Sequence, residues 1–191
     1  MSQVLVGVAC FVVRRVGGEP QFLVGHRQGS SLAPDTWGLP GGHLEVGEEW
    51  ETCIQRELLE ECGIHVPRPR HVATTNDILG DVGKHYVTVF MAAELDSYPL
   101  DDAGEPLNVR LMEPEYCKRW AWVTWDELRR RQAPLRDACA AAGQGTSSRQ
   151  CGCTETIQLD KLFFSLEHLE ELHGDKPLPW LAPPRTLTTV P

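Results

Sequence analysis

The chain has 191 residues, of which 41% are hydrophobic and 24% charged, and its formal net charge at pH 7 is −9. This length and composition are ordinary for a globular protein, and we expect one domain over residues 1–191. The negative charge argues against a general binder of nucleic-acid polymers, because a phosphate backbone requires a basic face. A free nucleotide could still bind if metal ions carried the positive charge.

Cysteine usage and hydropathy bear on the compartment. The seven cysteines are an odd number scattered along the chain, which favours a reducing, cytoplasmic compartment over a disulfide framework. The apolar run at residues 4–13 follows no basic segment and is too short to span a bilayer. We therefore expect a buried strand there and no membrane partner.

The first predicted elements are two strands, at residues 4–14 and 21–26. Residues 17–20 form a turn-favouring cluster of Gly and Pro, so the two strands should form a hairpin. Arg27 follows the second strand directly, where a cation could meet an anionic ligand. The alternative is a solvated surface charge, which is the commoner role of an arginine at a strand end. Residues 28–36 are predicted to be a polar loop.

An acidic helix is predicted next, within residues 42–64, which hold seven glutamates. The helix should start just after Gly47, so that Glu48 and Glu49 lie in the first turn, where carboxylates interact favourably with the helix dipole. It should end at Gly63, because glycine readily adopts the left-handed conformation that caps a helix.

The charges of this helix fall on an unexpected face. Three apolar residues recur at four-residue spacing, as in a core-facing stripe: Trp50, Ile54 and Leu58. Glu57 and Glu61 fall within the same stripe, and Glu60 flanks them. Burying carboxylates together is costly unless their pKa values rise or a cation lies among them. The i, i+3 and i+4 spacing of the three glutamates places their carboxylate oxygens on one face of the helix. These hard ligands suit Mg²⁺ or Mn²⁺ better than zinc. The alternative is a solvated acidic helix with an irregular pattern.

Two further strands are predicted at residues 71–79 and 85–95. Three residues of the second strand share one face: Tyr86, Thr88 and Phe90. Thr88 could therefore point at a ligand, although strand propensity alone also explains a threonine there. A loop at 99–114, a short strand at 119–123 and a helix at 125–131 follow.

The composition changes at residues 132–156, where Ala, Gly, Ser, Gln and Cys dominate without apolar periodicity. We expect an insertion that is partly disordered, and two of its three cysteines, Cys151 and Cys153, make only a weak case for a zinc site. A helix should resume over residues 157–173. Its predicted apolar stripe comprises Leu159, Leu162, Phe163, Leu166, Leu169 and Leu172. We expect the tail at 174–191 to be extended and frayed.

The acidic stretch has the pattern G-x5-E-x7-R-E-L-x-E-E-x-G-I from Gly42 to Ile64, and it resembles the signature of the nudix hydrolases at every fixed position. The resemblance covers about residues 4–95 and 105–172, interrupted by 132–156. It implies an α/β fold, namely the nudix α/β/α sandwich with a mixed central sheet and a loop–helix–loop catalytic motif.

The resemblance also implies roles for individual residues. The implied metal site for Mg²⁺, or Mn²⁺, consists of Glu57, Glu60, Glu61 and Gly41. Glu60 would be a further ligand or the base for water, and Arg56 would orient a glutamate through a salt bridge. The implied catalytic residues are Glu57, Glu60, Glu61, Arg56 and His43. The implied substrate-binding residues are Arg27, Gly42, His43, Thr88, Phe163 and Leu166. His26 departs from the family, where Lys or Arg is usual.

Additional segments, at residues 39–45, 85–88, 113–115 and 120–122, are similar to one branch of the family. That branch hydrolyses oxidised or thiolated guanine nucleotides in sanitation of the nucleotide pool. The implied reaction converts a nucleoside triphosphate to the monophosphate and pyrophosphate. The alternatives are a prenyl diphosphate or dihydroneopterin triphosphate as substrate, or a non-catalytic nucleotide-binding module. The resemblance alone also suggests a homodimer.

Overall fold

The computed structural model describes residues 3–29, 32–95, 109–136, 156–176 and 178–182. The strands are β1 Val4–Val16, β2 Glu19–Arg27, β3 Trp37–Gly38, β4 Gly41–His43, β5 Arg70–Leu79, β6 Lys84–Glu94, β7 Cys117–Val123, β8 Gln132–Pro134 and β9 Thr156–Gln158. The helices are α1 Trp50–Cys62, α2 Trp125–Arg129 and α3 Phe164–His173, with short 3-10 helices at Gly80–Val82 and Pro179–Leu181. No helix in these ranges is long and apolar enough to cross a membrane.

The central sheet is mixed. Within the described residues it has seven strands, in the order β3-β2-β1-β6-β5, with β4 paired to β1 and β7 paired to β2. Strands β1 and β6 are parallel, whereas β1 and β2 form the predicted antiparallel hairpin. The long strand β1 therefore lies at the centre, where its start brings β4 and β6 together.

The side chains of β1 alternate between two buried clusters, as the two-residue period of a strand requires. Phe11 and Val13 pack in the cluster that contains α2 and α3. Cys10 and Val12 pack in the cluster that contains α1, through residues such as Ile54. The helices thus cover both faces of the sheet, and the predicted α/β/α sandwich is confirmed.

Helix α1 begins later than predicted. It starts at Trp50 with Glu49 as its extended N-cap residue, so Glu48 and Glu49 precede the first turn. Glu48 instead uses its carboxylate to accept from the Glu45 backbone N–H, which closes the loop before the helix. The predicted end is correct: Gly63 has φ 65° and caps the helix.

The predicted apolar stripe of α1 is correct only in its central part. Ile54 and Leu58 are fully buried, but Trp50 is 40% exposed. The indole of Trp50 lies beside His71, with ring centroids 5.4 Å apart, at the first turn of the helix. The first turn therefore packs against the edge of the sheet instead of the core.

The predictions for the C-terminal third need correction. The ends of the 132–156 segment are ordered strands, because β8 and β9 pair antiparallel; residues 137–155, including Cys151 and Cys153, lie outside the described residues. The predicted helix at 157–173 begins only at Phe164, since the preceding residues form β9 and then a bridge between Leu162 and Trp37. Leu172 is 63% exposed, so it does not belong to the buried stripe.

The start of the predicted tail is packed against the domain. Leu178, Trp180 and Leu181 are buried, and the Trp180 ring lies 5.7 Å from the Phe11 ring. Arg15 donates to the backbone carbonyls of Leu181 and Ala182. Residues 178–181 therefore anchor the start of the predicted tail to the core, whereas residues 183–191 lie outside the described range.

Candidate active site

Arg56 joins the loop before α1 to the acidic face of that helix. Its guanidinium donates to both carboxylate oxygens of Glu48, each at 3.0 Å, and to Glu57 Oε1 at 2.7 Å. It also donates to Glu60 Oε2 and to the His43 carbonyl, each at 3.2 Å. The hydrogen bonds from Arg56 lower the pKa of Glu48 to about 2. This network fixes the loop against the helix and holds the Glu57 carboxylate in place.

Glu57 and Glu61 lie one turn apart on the same face of α1. Glu61 Oε2 accepts from the Gly41 backbone N–H at 2.9 Å. Burial raises the pKa of Glu61 to about 8, although the Gly41 hydrogen bond acts in the opposite direction. Burial also raises the pKa of Glu57, and Arg56 offsets only part of that effect. The negative charges of these two carboxylates are only partly compensated, and each repels the other. A cation bound between them would stabilise their charged forms.

Two glycines let the backbone of β4 approach these carboxylates. Gly41 has φ 141°, and a Cβ there would collide with the Val8 carbonyl oxygen of β1. A Cβ on Gly42 would collide with the Glu57 carboxylate itself. Neither position has room for a side chain, and Gly41 also adopts a conformation that L residues rarely reach.

The donor set fits a hard divalent cation. Glu57 and Glu61 offer carboxylate oxygens from one helix face, and Mg²⁺ and Mn²⁺ prefer such ligands. Glu60 is half exposed, with 52% of its side chain accessible, and it pairs with Arg56 at 3.2 Å. Within the described ranges, no three His, Cys, Asp or Glu side chains are gathered into a ready metal cage. The predicted three-glutamate site therefore stays a prediction, with Glu57 and Glu61 as its partly buried members.

A cavity of about 440 Å³ opens beside this acidic face. Its lining includes nearly all of the predicted site residues: Arg27, Gly41, Gly42, His43, Arg56, Glu57, Glu61, Thr88, Phe163 and Leu166. Glu60 does not contribute to the lining that the described residues form. Residues from β1, β2, β4, α1, β6 and α3 thus meet at one place, which is large enough for a small organic ligand.

Arg27 is part of the cavity and is not a solvated surface charge. Its guanidinium lies 4.5 Å from the centre of the Phe163 ring, and its Nε donates to the Leu32 carbonyl at 3.4 Å. Burial lowers its pKa, whereas the nearby Glu61 favours its charged form. A cation is therefore held over an aromatic face close to the carboxylates.

His26 stacks on Trp37, with ring centroids 4.6 Å apart, and it does not line the cavity formed by the described residues. Burial lowers the pKa of His26. Arg27 is the cation that β2 contributes to the cavity lining formed by the described residues.

Several lining residues were not assigned a role from the sequence: Tyr86, Glu113, Trp120 and Phe164. The Tyr86 hydroxyl lies 3.1 Å from His43 Nε2. Tyr86 is two residues from Thr88 on β6 and therefore points to the same face of the sheet, a signal that the sequence already contains. Burial raises the pKa of Glu113, as do Glu115 and Glu60. The local sequence does not distinguish Glu113 from the other acidic residues of its loop. Only the folded chain brings Glu113 close to α1.

The profile of the NUDIX domain family matches residues 4–142. A protein of Mycobacterium tuberculosis named "Putative 8-oxo-dGTP diphosphatase 3" is 30% identical over 142 residues, which cover 72% of this chain and 60% of that protein. The chain therefore spans 60% of the length of this curated relative.

Two solved structures have similar folds. The MutT NUDIX hydrolase of Burkholderia pseudomallei has a TM-score of 0.54 and 29% identity, covering 65% of this chain and 86% of that chain. The NUDIX domain of Shewanella oneidensis NrtR, solved with ADP ribose, has a TM-score of 0.54 and 20% identity, covering 72% and 82% respectively. The second likeness concerns the fold alone.

These findings define the class of protein: the chain belongs to the NUDIX family. It has the fold and the intact acidic signature of the family's hydrolases, so the predicted membership of the nudix hydrolases is confirmed.

Proposed function

We propose that this protein hydrolyses a nucleoside triphosphate to the monophosphate and pyrophosphate, and that oxidised or modified purine nucleotides are among its substrates. The observation that carries the proposal is the composition of the cavity. It unites two partly buried carboxylates, Glu57 and Glu61, with a cation, Arg27, that lies 4.5 Å over an aromatic ring. A phosphate chain needs cations, and a base needs an aromatic or apolar surface.

The phosphate chain would lie between the acidic helix and β4. Glu57 and Glu61 would hold Mg²⁺ or Mn²⁺, with Glu60 as a further ligand or the base for water. When bound, the ion supplies positive charge against the phosphates and Lewis acidity at phosphorus. Arg27 and His43 bind phosphate oxygens, and the Gly42 backbone permits close approach.

The base would lie against the aromatic residues of α3 and its N-cap. Phe163 and Phe164 have ring centroids 4.1 Å apart, and the Tyr86 ring lies 5.5 Å from Phe164. Leu166 and Thr88 complete this part of the lining. A planar purine gains stacking contacts on such a surface. The name of the mycobacterial relative supports an oxidised guanine nucleotide as one candidate.

A panel of nucleotides tests the proposal. The purified chain is incubated with Mg²⁺ and dGTP, 8-oxo-dGTP, dITP, dATP, dCTP or dTTP, and monophosphate, pyrophosphate and inorganic phosphate are quantified separately. We expect a purine nucleotide to yield monophosphate and pyrophosphate in equal amounts, with no turnover in EDTA. Release of inorganic phosphate alone, or no turnover of any nucleotide, would contradict the proposal.

The apolar part of the cavity favours one second candidate, a prenyl diphosphate. Phe163, Phe164, Leu166 and Trp120 could also enclose a hydrocarbon chain. Geranyl diphosphate in the same assay separates the two, because its hydrolysis releases only inorganic phosphate. The proposed homodimer is tested independently by sedimentation analysis of the chain.

A further inference from the structure

A buried carboxylate on β5 lies next to the cavity without lining it. Asp77 is only 4% exposed and accepts three hydrogen bonds. Its Oδ2 accepts from Thr75 Oγ1 at 2.9 Å and from Thr88 Oγ1 at 2.8 Å. Its Oδ1 lies 2.8 Å from Nδ1 of His168 on α3. The acidic signature of α1 does not include this group.

The sheet and α3 bring these residues together. Thr75 and Asp77 point to the same side of β5, and Thr75 lies directly opposite Thr88 in the antiparallel pairing with β6. His168 projects from α3, the helix that also contributes Leu166 to the cavity. Of the four residues in this network, Thr88 lines the cavity, whereas the other three are not among the described lining residues.

The network determines what the Thr88 hydroxyl can offer to a ligand. A threonine hydroxyl has one proton to donate and two lone pairs that can accept. The Thr88 proton is directed to Asp77 Oδ2. The same oxygen also accepts from Thr75, and the other carboxylate oxygen faces His168. Only the acceptor capacity of Thr88 is therefore available toward the cavity.

Space beside Thr88 lets a ligand reach this acceptor. Gly7 of β1 lies directly opposite Thr88 in the parallel pairing with β6, and both residues line the cavity. A Cβ on Gly7 would lie 4.0 Å from Thr88 Oγ1. Because position 7 is glycine, the residue directly opposite Thr88 on β1 places no side chain over the hydroxyl.

We propose that Asp77, held by His168, is a specificity-determining positioning residue that fixes the Thr88 hydroxyl as a hydrogen-bond acceptor toward the cavity. The cavity then selects nucleobases that present an N–H group at this point and disfavours those that present an acceptor. The identity of the ligand as a nucleotide rests on the proposed function; the orientation of Thr88 rests on the hydrogen bonds alone. Asp77 acts through Thr88 and does not touch the ligand.

Two threonines provide a matched pair of variants. Thr75→Val and Thr88→Val each remove one hydroxyl that donates to the same oxygen of Asp77, but only Thr88 lines the cavity. A structural role for the network predicts similar consequences for both variants. A role in base selection predicts that only Thr88→Val changes the discrimination between bases.

Asp77→Asn tests the orientation directly. The asparagine carbonyl oxygen can still accept from His168, which turns the amide N–H groups toward the two threonines. Thr88 would then accept from Asn at position 77, and its own proton would be free to point into the cavity. The preference for a base N–H at this point should disappear or reverse.

The experiment measures the dissociation constants of nucleoside monophosphates by calorimetry, in which no hydrolysis is required. The probes are GMP and IMP, which differ in the 2-amino group, AMP and purine riboside monophosphate, which differ in the 6-amino group, and GMP and 1-methyl-GMP, which differ at the N1 position. The wild-type protein and the three variants are compared, with thermal unfolding as the check of folding.

We expect the wild-type protein to bind at least one N–H-bearing probe about tenfold more tightly than its partner probe, the effect of one well-formed hydrogen bond with a buried partner. Thr75→Val should keep this ratio, whereas Thr88→Val should abolish it and Asp77→Asn should abolish or reverse it. Equal ratios in all four proteins, no discrimination by the wild-type protein, or equal loss in both threonine variants would overturn the proposal.

The outcome is separable from that of the proposed reaction. Selective monophosphate binding that follows the expected pattern, without turnover of any triphosphate, would contradict the hydrolysis and support the role of Asp77. Turnover of nucleotides with no pattern across the variants would support the hydrolysis and overturn the role of Asp77. If no monophosphate binds to the folded wild-type protein, the inference is overturned.

Discussion

The Gly41 backbone N–H donates to Glu61 Oε2 at 2.9 Å, which ties β4 to the last turn of α1. This contact crosses from the central sheet to the acidic helix between residues that are 20 positions apart. It orients one carboxylate and leaves its second oxygen available to a ligand. The acidic helix is therefore anchored to β4 at two points, through Arg56 in its middle and Glu61 in its last turn.

Glu61→Gln should separate catalysis from stability. The substitution keeps the shape and an acceptor for the Gly41 N–H but removes a charge that burial disfavours. We expect activity with Mg²⁺ to fall at least about 100-fold, because electrostatic stabilisation is a large component of phosphoryl transfer. The melting temperature without metal should stay the same or rise, and its increase on adding Mg²⁺ should shrink.

Activity assays and thermal unfolding with and without Mg²⁺ measure both effects. Glu51→Gln is the control, since Glu51 is exposed on the same helix. Turnover by Glu61→Gln at the rate of the wild-type protein would show that the carboxylate is not a ligand.

Gly42→Ala should impair activity through a single methyl group. A Cβ at this position collides with the Glu57 carboxylate, which must then move away from its Arg56 partner. We expect a loss of about 100-fold in kcat, the size of effect that follows when a reacting group is displaced by about 1 Å. Gly80→Ala is the control, because a Cβ there meets no atom within 4 Å. Equal activity of both variants would exclude a requirement for close packing at Gly42.

Arg27→Lys should weaken substrate binding although it retains the positive charge. A lysine ammonium cannot reproduce the planar contact of the guanidinium with the Phe163 ring, 4.5 Å away, and also donate to Leu32. We expect KM to rise about tenfold, with a smaller change in kcat. Arg14→Lys removes the same kind of contact, 4.4 Å over Trp122 and outside the cavity. Steady-state kinetics of the two variants should differ, and a similar KM for both would count against a role for Arg27 in binding.

Glu127 should make the fold sensitive to acid. Burial opposes its ionisation, but hydrogen bonds from Arg136 and from the Thr124 N–H outweigh burial and lower the pKa of Glu127. A lowered folded-state pKa gives stability that is present above the unfolded value of about 4.3 and is lost as the pH falls through the folded value.

Glu127→Gln keeps the capping box of α2 but loses this charge. We expect its free energy of unfolding at pH 7 to fall by about 2 kcal/mol. The difference from the wild-type protein should diminish below about pH 4. Urea unfolding from pH 3 to pH 7 measures it. Asp126→Asn, at an exposed neighbour in the same turn, should show no such convergence; a constant difference for Glu127→Gln would contradict the assignment.

Local patterns determined the elements that repeat over several residues. The hairpin of β1 and β2 and the end of α1 at Gly63 follow from turn-forming residues and a glycine cap, which act over a few positions. The predictions were wrong where a segment distant in sequence determines the local structure. Helix α3 begins late because β9 pairs with β8, and Leu178 and Trp180 are buried because the core extends to them.

The sequence by itself determined the family and the acidic face of α1, because the spacing of Gly42, Arg56, Glu57 and Glu61 is a local property of one loop and one helix. Only the tertiary structure decided what surrounds that face. In the structure, Arg27 is a cation held over Phe163 and not a solvated charge at a strand end. Thr88 is a cavity residue whose hydroxyl is oriented by Asp77 and His168. Such contacts join residues far apart in the chain, and they depend on strand register and helix packing, which no local pattern encodes.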